Sequence, residues 1–328
     1  MSAEGPPFGE PIGEAAELAA RLRDRDLSAA PAALNLIENR AKGDEVGALL
    51  RAVSPAALGA EPPGHIVGVT GPPGAGKSSL LSALVRAWRG DGRTVAVLAV
   101  DPSSKRSGGS LLGDRARIEF DPADRGVLIR STAAGGRLGG LAPATRAAAQ
   151  ALSAAFDVVV IETVGVGQSE TEVAEVADTV VVIVQPGSGD ALQFIKAGIM
   201  EVPDVLVVTK ADLGDVALRA RRDLSAALRS LGARETPVVA VSTIAPTTGV
   251  NELIAALDGH RASLDLPARR AESRRTSALA DFAAEHGDRG MRALGGRRAA
   301  LRFLAEQEPG LDVATLVERL EQRAEVAP

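Results

Sequence analysis

Lys77 and Ser78 end the stretch Gly71-Pro72-Pro73-Gly74-Ala75-Gly76-Lys77-Ser78, and their spacing from its glycines defines a chemistry. The pattern G-x-x-x-x-G-K-[ST] belongs to a loop wrapped around a polyphosphate. The glycines let successive backbone N–H groups turn inward on phosphate oxygens. Lys77 brings a positive charge to the β- and γ-phosphates, and Ser78 offers a hydroxyl to Mg²⁺. The candidate nucleotide-binding residues of this loop are Gly71, Pro73, Gly74, Ala75, Gly76, Lys77, Ser78 and Ser79. Such a loop requires a strand before it and, after it, a helix whose positive end lies beneath the phosphates. His65–Thr70 reads as that buried strand. Leu80, Leu81, Leu84, Val85 and Trp88 recur at helical spacing after the loop. The chain is therefore expected to bind a nucleoside triphosphate.

Hydrolysis of a Mg²⁺-nucleotide needs carboxylates near the phosphates, at the C-terminal ends of strands. Asp101 follows the strand candidate Thr94–Val100, and Glu162 follows Asp157–Ile161. Asp114, in the polar stretch Gly108–Asp114, is either a third metal-site carboxylate or a helix cap. The candidate metal residues are thus Ser78, Asp101, Asp114 and Glu162. Glu162-Thr163-Val164-Gly165 is similar to the Asp-x-x-Gly of GTPases with the acid one methylene longer, and in that reading the Gly165 N–H meets the γ-phosphate. Lys77, Asp101, Glu162 and Gly165 form the candidate catalytic set.

Base selection is expected further on. Thr209-Lys210-Ala211-Asp212 stands after a strand where GTPases carry Asn-Lys-x-Asp. Asp212 would accept two hydrogen bonds from guanine, Lys210 would cover the ring, and adenine would leave the carboxylate unpaired. Ser242 and Thr243, after the last strand, suit a backbone contact to guanine O6. Taken alone, Lys-Ala-Asp is also an ordinary helix start. Thr209 lacks the amide that would brace the base site, which leaves nucleotide affinity the open quantity. Among Arg106, Arg115, Arg117, Arg137 and Arg146 the sequence selects no residue to neutralise transition-state charge.

The elements that must hold these residues alternate. Further strand candidates are Val127–Arg130, Thr179–Val184, Val205–Thr209 and Val238–Ser242, with helical patterns at Ala142–Phe156, Ala191–Met200 and Ala217–Leu231. Near-continuous Val/Ile runs imply strands buried on both faces, hence a doubly wound α/β domain with a mainly parallel sheet. Residues 1–12 read as unstructured, residues to about 60 as an N-terminal helical segment, 61–262 as the nucleotide-binding domain and 263–328 as a C-terminal helical extension. Pro31 falls in the first turn of the second N-terminal helix. On the last helix Val313, Leu316, Val317 and Leu320 form one apolar stripe, which packs either on its own domain or on a second subunit.

Composition closes other routes. Of 328 residues 45% are hydrophobic, enough for a packed core, and none is cysteine, which excludes disulfides and thiolate chemistry. A net charge of −5 and 2% aromatic content argue against a nucleic-acid surface. The longest apolar runs are strand-sized, so neither membrane span nor signal peptide is expected, and a cytoplasmic location is.

Asp101-Pro102-Ser103-Ser104, Gly108-Gly109-Ser110-Leu111-Leu112-Gly113-Asp114-Arg115 and Glu162-Thr163-Val164-Gly165-Val166-Gly167-Gln168-Ser169-Glu170 together resemble the MeaB/ArgK-type GTPases over roughly residues 14–262. Gly189–Gln193 and Ile195–Glu201 resemble that family's additional switch segment. The resemblance implies a GTPase chaperone of adenosylcobalamin-dependent acyl-CoA mutases. Its implied ligands are GTP or GDP and Mg²⁺ at Ser78, Asp101, Asp114 and Glu162, and its implied assembly is a homodimer through C-terminal helices. Lys105-Arg106-Ser107 departs from the Pro-Phe-Thr of many members, and the last 60 or so residues match poorly. A reading of another class, a small-molecule kinase or transport-linked ATPase, would need an acceptor pocket and a base that the sequence does not identify. Which mutase is served is not written in the chain.

Overall fold

The computed structural model describes residues 13–39, 43–101, 118–133, 141–163, 169–187 and 203–326. The unstructured reading of residues 1–12 and the helix expected at Ala191–Met200 lie outside them. The chain divides into two compact units. One holds Gly64–Ala149 and Phe156–Arg270; the other holds Met1–Pro63, Gln150–Ala155 and Ala271–Pro328.

The first unit is built on a sheet of β1 (His65–Thr70), β2 (Val95–Asp101), β3 (Val127–Ala133), β4 (Val158–Glu162), β5 (Thr179–Val184), β6 (Val205–Val208) and β7 (Val238–Ala240). The spatial order is β3-β2-β4-β1-β5-β6-β7 and every pairing is parallel. Strands β1, β4, β5 and β6 are buried throughout, as their unbroken Val/Ile runs require. In chain order the N-terminal helices are α1 (Glu14–Arg23), α2 (Ala30–Glu38), α3 (Gly43–Ala52) and α4 (Pro55–Leu58). The sheet is accompanied by α5 (Lys77–Gly90), α6 (Pro143–Ser153), α7 (Ser169–Val176), α8 (Asp215–Ser230) and α9 (Val250–Ser263). Leu80, Leu81, Leu84 and Trp88 of α5 join Val67, Val69, Val97, Val160, Val181 and Val207 in one core, to which α9 adds Leu253 and Leu257. Truncating a fully buried member such as Leu84 to Ala would cost about 2–5 kcal/mol. Helix α7 lies on the other face, against Gly68: a Cβ there would come within 2.8 Å of Val173 and 3.1 Å of Ala177. Ser169, inside the family-like stretch that starts at Glu162, opens this helix. Strand β7 stops at Ala240 rather than Ser242, because Ser242 bridges to Thr248 instead of continuing the ladder.

At the end where the strands begin, three aspartates each close a neighbouring strand. Asp157 accepts from Thr94 N at 2.8 Å, Asp178 from Ile66 N at 2.9 Å and Asp204 from Val180 N at 2.8 Å. These N–H groups lie at the start of the ladder, and a buried donor needs such a partner.

In the second unit Pro31 occupies the first turn of α2. The C-terminal helices are α10 (Leu266–Ala293), which belongs to this unit from Ala271 on and is broken at Gly287 (φ 58°), α11 (Arg297–Ala305) and α12 (Val313–Val326). The apolar stripe of α12 is used within this unit. Val313, Leu316 and Leu320 are buried with Leu279, Phe282, Leu294 and Leu304, and Val317 packs on the same cluster. This outcome is the first of the two the stripe allowed, packing on its own domain.

Candidate functional site

The phosphate loop leaves β1 at Gly71. Its φ is 150°, and a Cβ there would lie 2.3 Å from the Ile183 carbonyl oxygen, so only glycine lets the chain turn this close to the end of β5. Gly74 and Gly76 also take positive φ, 77° and 90°. Helix α5 starts at Lys77 with no side chain capping its first N–H groups, the arrangement that suits an anion. Lys77 is buried, and its Nζ donates to Gly71 O at 2.7 Å and Pro72 O at 3.2 Å, which folds the ammonium back on the loop.

Strand order brings the acids to the loop. Strand β4 lies between β2 and β1, with Glu162 in register with Ala99 on one side and Val69 on the other. Glu162 is 4% exposed, and its Oε1 is 3.5 Å from Ser78 Oγ. Asp101 is the last residue of β2, at the same edge, while its side chain lies outside the described residues. Asp114, Gly165, Arg106, Arg115, Arg117, Arg137 and the family-like stretches Gly108–Arg115, Gly189–Gln193 and Ile195–Glu201 lie outside them as well. Arg146 is described; it donates to Leu141 O at 2.8 Å.

The donor set suits Mg²⁺, a hard cation that takes oxygen. With bond lengths of about 2.0–2.1 Å, two ligands of one Mg²⁺ sit about 2.9 Å apart when adjacent and about 4.2 Å when opposite. The Ser78 and Glu162 oxygens, 3.5 Å apart, stand at neither spacing, so the fit rests on the oxygen chemistry of the pair, and direct coordination by both would need a small side-chain shift.

The base-selecting residues follow β6. Thr209 is buried; its hydroxyl lies 2.6 Å from Ala75 O in the phosphate loop and 3.1 Å from Val184 O, and its N–H donates to Val184 O at 2.9 Å. The threonine that replaces the usual asparagine thus ties β5, β6 and the phosphate loop together. Lys210 takes a left-handed backbone (φ 54°), and its Nζ donates to Gln185 Oε1 at 2.6 Å. Asp212 is exposed, and Ser242 Oγ donates to its Oδ1 at 3.0 Å. The Ser242 N–H is used by Thr248 O at 3.1 Å, so Ser242 orients Asp212 through its side chain instead of offering its amide to a base. Thr243 follows, half-buried. Gln185 and the orienting role of Ser242 were missed in sequence, since their partners lie 25 and 30 residues away.

A parallel sheet with this loop after β1, an acid at the end of β4 and Lys-Ala-Asp after β6 defines a P-loop nucleotide hydrolase. The chain belongs to the methylmalonyl Co-A mutase-associated GTPase MeaB family, whose profile matches residues 30–288. A Pyrococcus abyssi protein named as a GTPase is 42% identical over 266 residues, 79% of this chain and 80% of that one. The mitochondrial methylmalonic aciduria type A homolog of Mus musculus is 46% identical over 157 residues, 48% of this chain and 38% of that one. A crystal structure described as a LAO/AO transport system kinase superposes with a TM-score of 0.62 at 30% identity, covering 90% of this chain and 98% of that one. The protein is accordingly a GTP hydrolase that binds guanine nucleotides. Among the described residues no helix is long and apolar enough to cross a membrane.

Proposed function

We propose that this GTPase is a chaperone that couples Mg²⁺-dependent GTP hydrolysis to cofactor loading and protection of an adenosylcobalamin-dependent acyl-CoA mutase, as a cytoplasmic homodimer. The observation that carries this reading is the match to the mutase-associated family over residues 30–288. The name of the mouse relative, drawn from methylmalonic aciduria, agrees with it.

In this reading the backbone of Gly71–Ser79 holds the phosphates and Lys77 turns from the loop carbonyls to the γ-phosphate. Asp212, oriented by Ser242, selects guanine. Ser78 and Glu162 would hold Mg²⁺, with Asp101 and Asp114 in its direct or water-mediated surroundings. The ion would neutralise charge on the β- and γ-phosphate oxygens. Glu162 fixes the start of the stretch that carries Gly165 to the γ-phosphate. A nucleotide-dependent change does work only if a third body binds the two states differently. Because the stripe on α12 is already covered within its own unit, a dimer would use other surface of the C-terminal helices.

One observation favours a second reading, a small-molecule kinase or transport-linked ATPase: the description carried by the solved relative. Both readings meet one test. Acyl-CoA mutases of the source organism are titrated against the protein while GTP turnover is followed, and complex formation is measured with GDP and with a non-hydrolysable GTP analogue. A mutase should bind the two states unequally and raise turnover. If no mutase binds in either state and a small metabolite becomes phosphorylated, the kinase reading replaces the chaperone.

A further inference from the structure

Thr70 ends β1 and Thr163 follows β4. Val69 and Glu162 are the last register partners of β1 and β4, and continuing that register puts the next residues, Thr70 and Thr163, on one face. The Thr163 N–H donates to Val69 O at 3.0 Å and closes that ladder. The face is the one on which Gly68 meets Val173 of α7, opposite the face that carries Val69 and Glu162. Thr70 is 0% and Thr163 1% exposed, and neither hydroxyl has a hydrogen-bond partner among the described residues.

The same row contains its own control. Thr132 of β3 lies two strands from Thr163, beyond Val100. Its hydroxyl is paired with Thr145 Oγ1 of α6 at 3.2 Å. A buried hydroxyl left alone is costly, whereas valine fills the same space without that cost. Two adjacent orphan hydroxyls therefore point to something that both of them bind. Each supplies one donor and spare acceptor capacity, the complement of a single water, which takes two to four polar partners when buried.

We propose that Thr70 and Thr163 are positioning residues for GTP hydrolysis, which together hold one ordered water beneath the C-terminal edge of β1 and β4. Thr163 sits between Glu162 and Val164. Anchoring its side chain on one face fixes the backbone from which the Glu162 carboxylate leaves on the other, toward Ser78. The water thus ties the end of the strand that feeds the phosphate loop to the root of the Glu162–Gly165 stretch.

The test uses the full chain with Thr163→Val, Thr70→Val, the double variant and Thr163→Ser. Turnover at saturating GTP, KM, GDP affinity and urea unfolding are measured for each. Thr163→Val should lower kcat about tenfold, with KM and GDP affinity within about twofold, because the loss falls on the alignment of Glu162 rather than on ground-state binding. Thr163→Ser keeps the hydroxyl and should restore most of the rate. The double valine variant should lose little more than either single one, since either removes the shared water. Unchanged kcat in Thr163→Val overturns the proposal whatever its stability, and so does a rate that Ser fails to restore.

Discussion

The two ends of the parallel sheet treat their polar groups in opposite ways. Where the strands begin, polar groups are paired at short distance. Asp178 takes the Ile66 N–H at 2.9 Å and the Arg270 guanidinium at 2.6 and 2.8 Å, and Arg269 reaches Ala177 O at 3.1 Å. His65, Thr179 and His260 form a chain of 2.8 and 2.9 Å contacts that ends on Asp204 at 3.2 Å. Where the strands finish, Ser78 and Glu162 stand 3.5 Å apart, Lys77 rests on loop carbonyls, and the Thr70 and Thr163 hydroxyls have no partner among the described residues. At the first end the hydrogen bonds join strands of the fold; at the second the bonds of Lys77, Thr209, Lys210 and Asp212 shape the nucleotide site. Deletions at the first end should therefore register as stability, and deletions at the second as affinity or rate.

The largest expected effect breaks the saturated end. Arg270 and Asp178 are 6% and 1% exposed, so Arg270→Ala strands a buried carboxylate. Such a loss costs about 3–5 kcal/mol. Urea unfolding should show it, while GDP binding by the folded fraction stays as in the parent. A change below about 1 kcal/mol, or a fall in GDP affinity of the folded protein, would remove the distinction between the two ends.

A somewhat smaller effect at the same end depends on pH. Burial pushes the His65 imidazole down to about 4 from an ordinary 6.5, only partly opposed by the nearby Asp178 carboxylate. Above pH 6.5 neither the folded nor the unfolded chain charges it. Between 6.5 and 4 the unfolded chain binds a proton that the folded chain refuses, so stability is lost as pH falls through that window. The loss from this group is about 3 kcal/mol in all. Comparing unfolding at pH 7 and pH 4.5 in the parent and in His65→Gln should show a shallower loss in the variant. Parallel losses in both would mean that His65 is already charged in the fold.

Much of the nucleotide end was legible in the sequence, because its signals are local. The phosphate loop, the strand His65–Thr70 and the acid after β4 are each written in fewer than ten consecutive residues. The saturated end was not. Asp157, Asp178 and Asp204 close strands that lie 63, 112 and 24 residues away, and no periodicity announces such partners. Helix α7 escaped notice because its eight residues, Ser-Glu-Thr-Glu-Val-Ala-Glu-Val, carry few apolar positions. Thr209 read as a lost amide, since the sequence could not show its hydroxyl reaching Ala75, 134 residues earlier. The stripe on α12 was seen, but which surface covers it depended on helices whose packing has no sequence signature.

The smallest expected effect tests the nucleotide end, at Thr209. In Thr209→Val the strand keeps its N–H bond to Val184 O, and the valine fits a buried site at the end of β6. What disappears is the 2.6 Å tie to Ala75 O, which lies between Gly74 and Gly76, both of positive φ. The loop then has more conformations to surrender when it closes on phosphates. A neutral hydrogen bond of this kind contributes about 1 kcal/mol, so GDP affinity should fall about fivefold with unfolding nearly unchanged. Thr209→Asn should hold affinity at or above the parent value, as an amide at this position can again donate to the loop. Calorimetry with GDP decides the matter. If the valine variant binds GDP as tightly as the parent, the tie to Ala75 contributes nothing to the nucleotide site. If it instead unfolds at markedly lower urea, Thr209 belongs with the saturated end of the sheet, and the division between fold-serving and ligand-serving polar groups does not follow the strand direction.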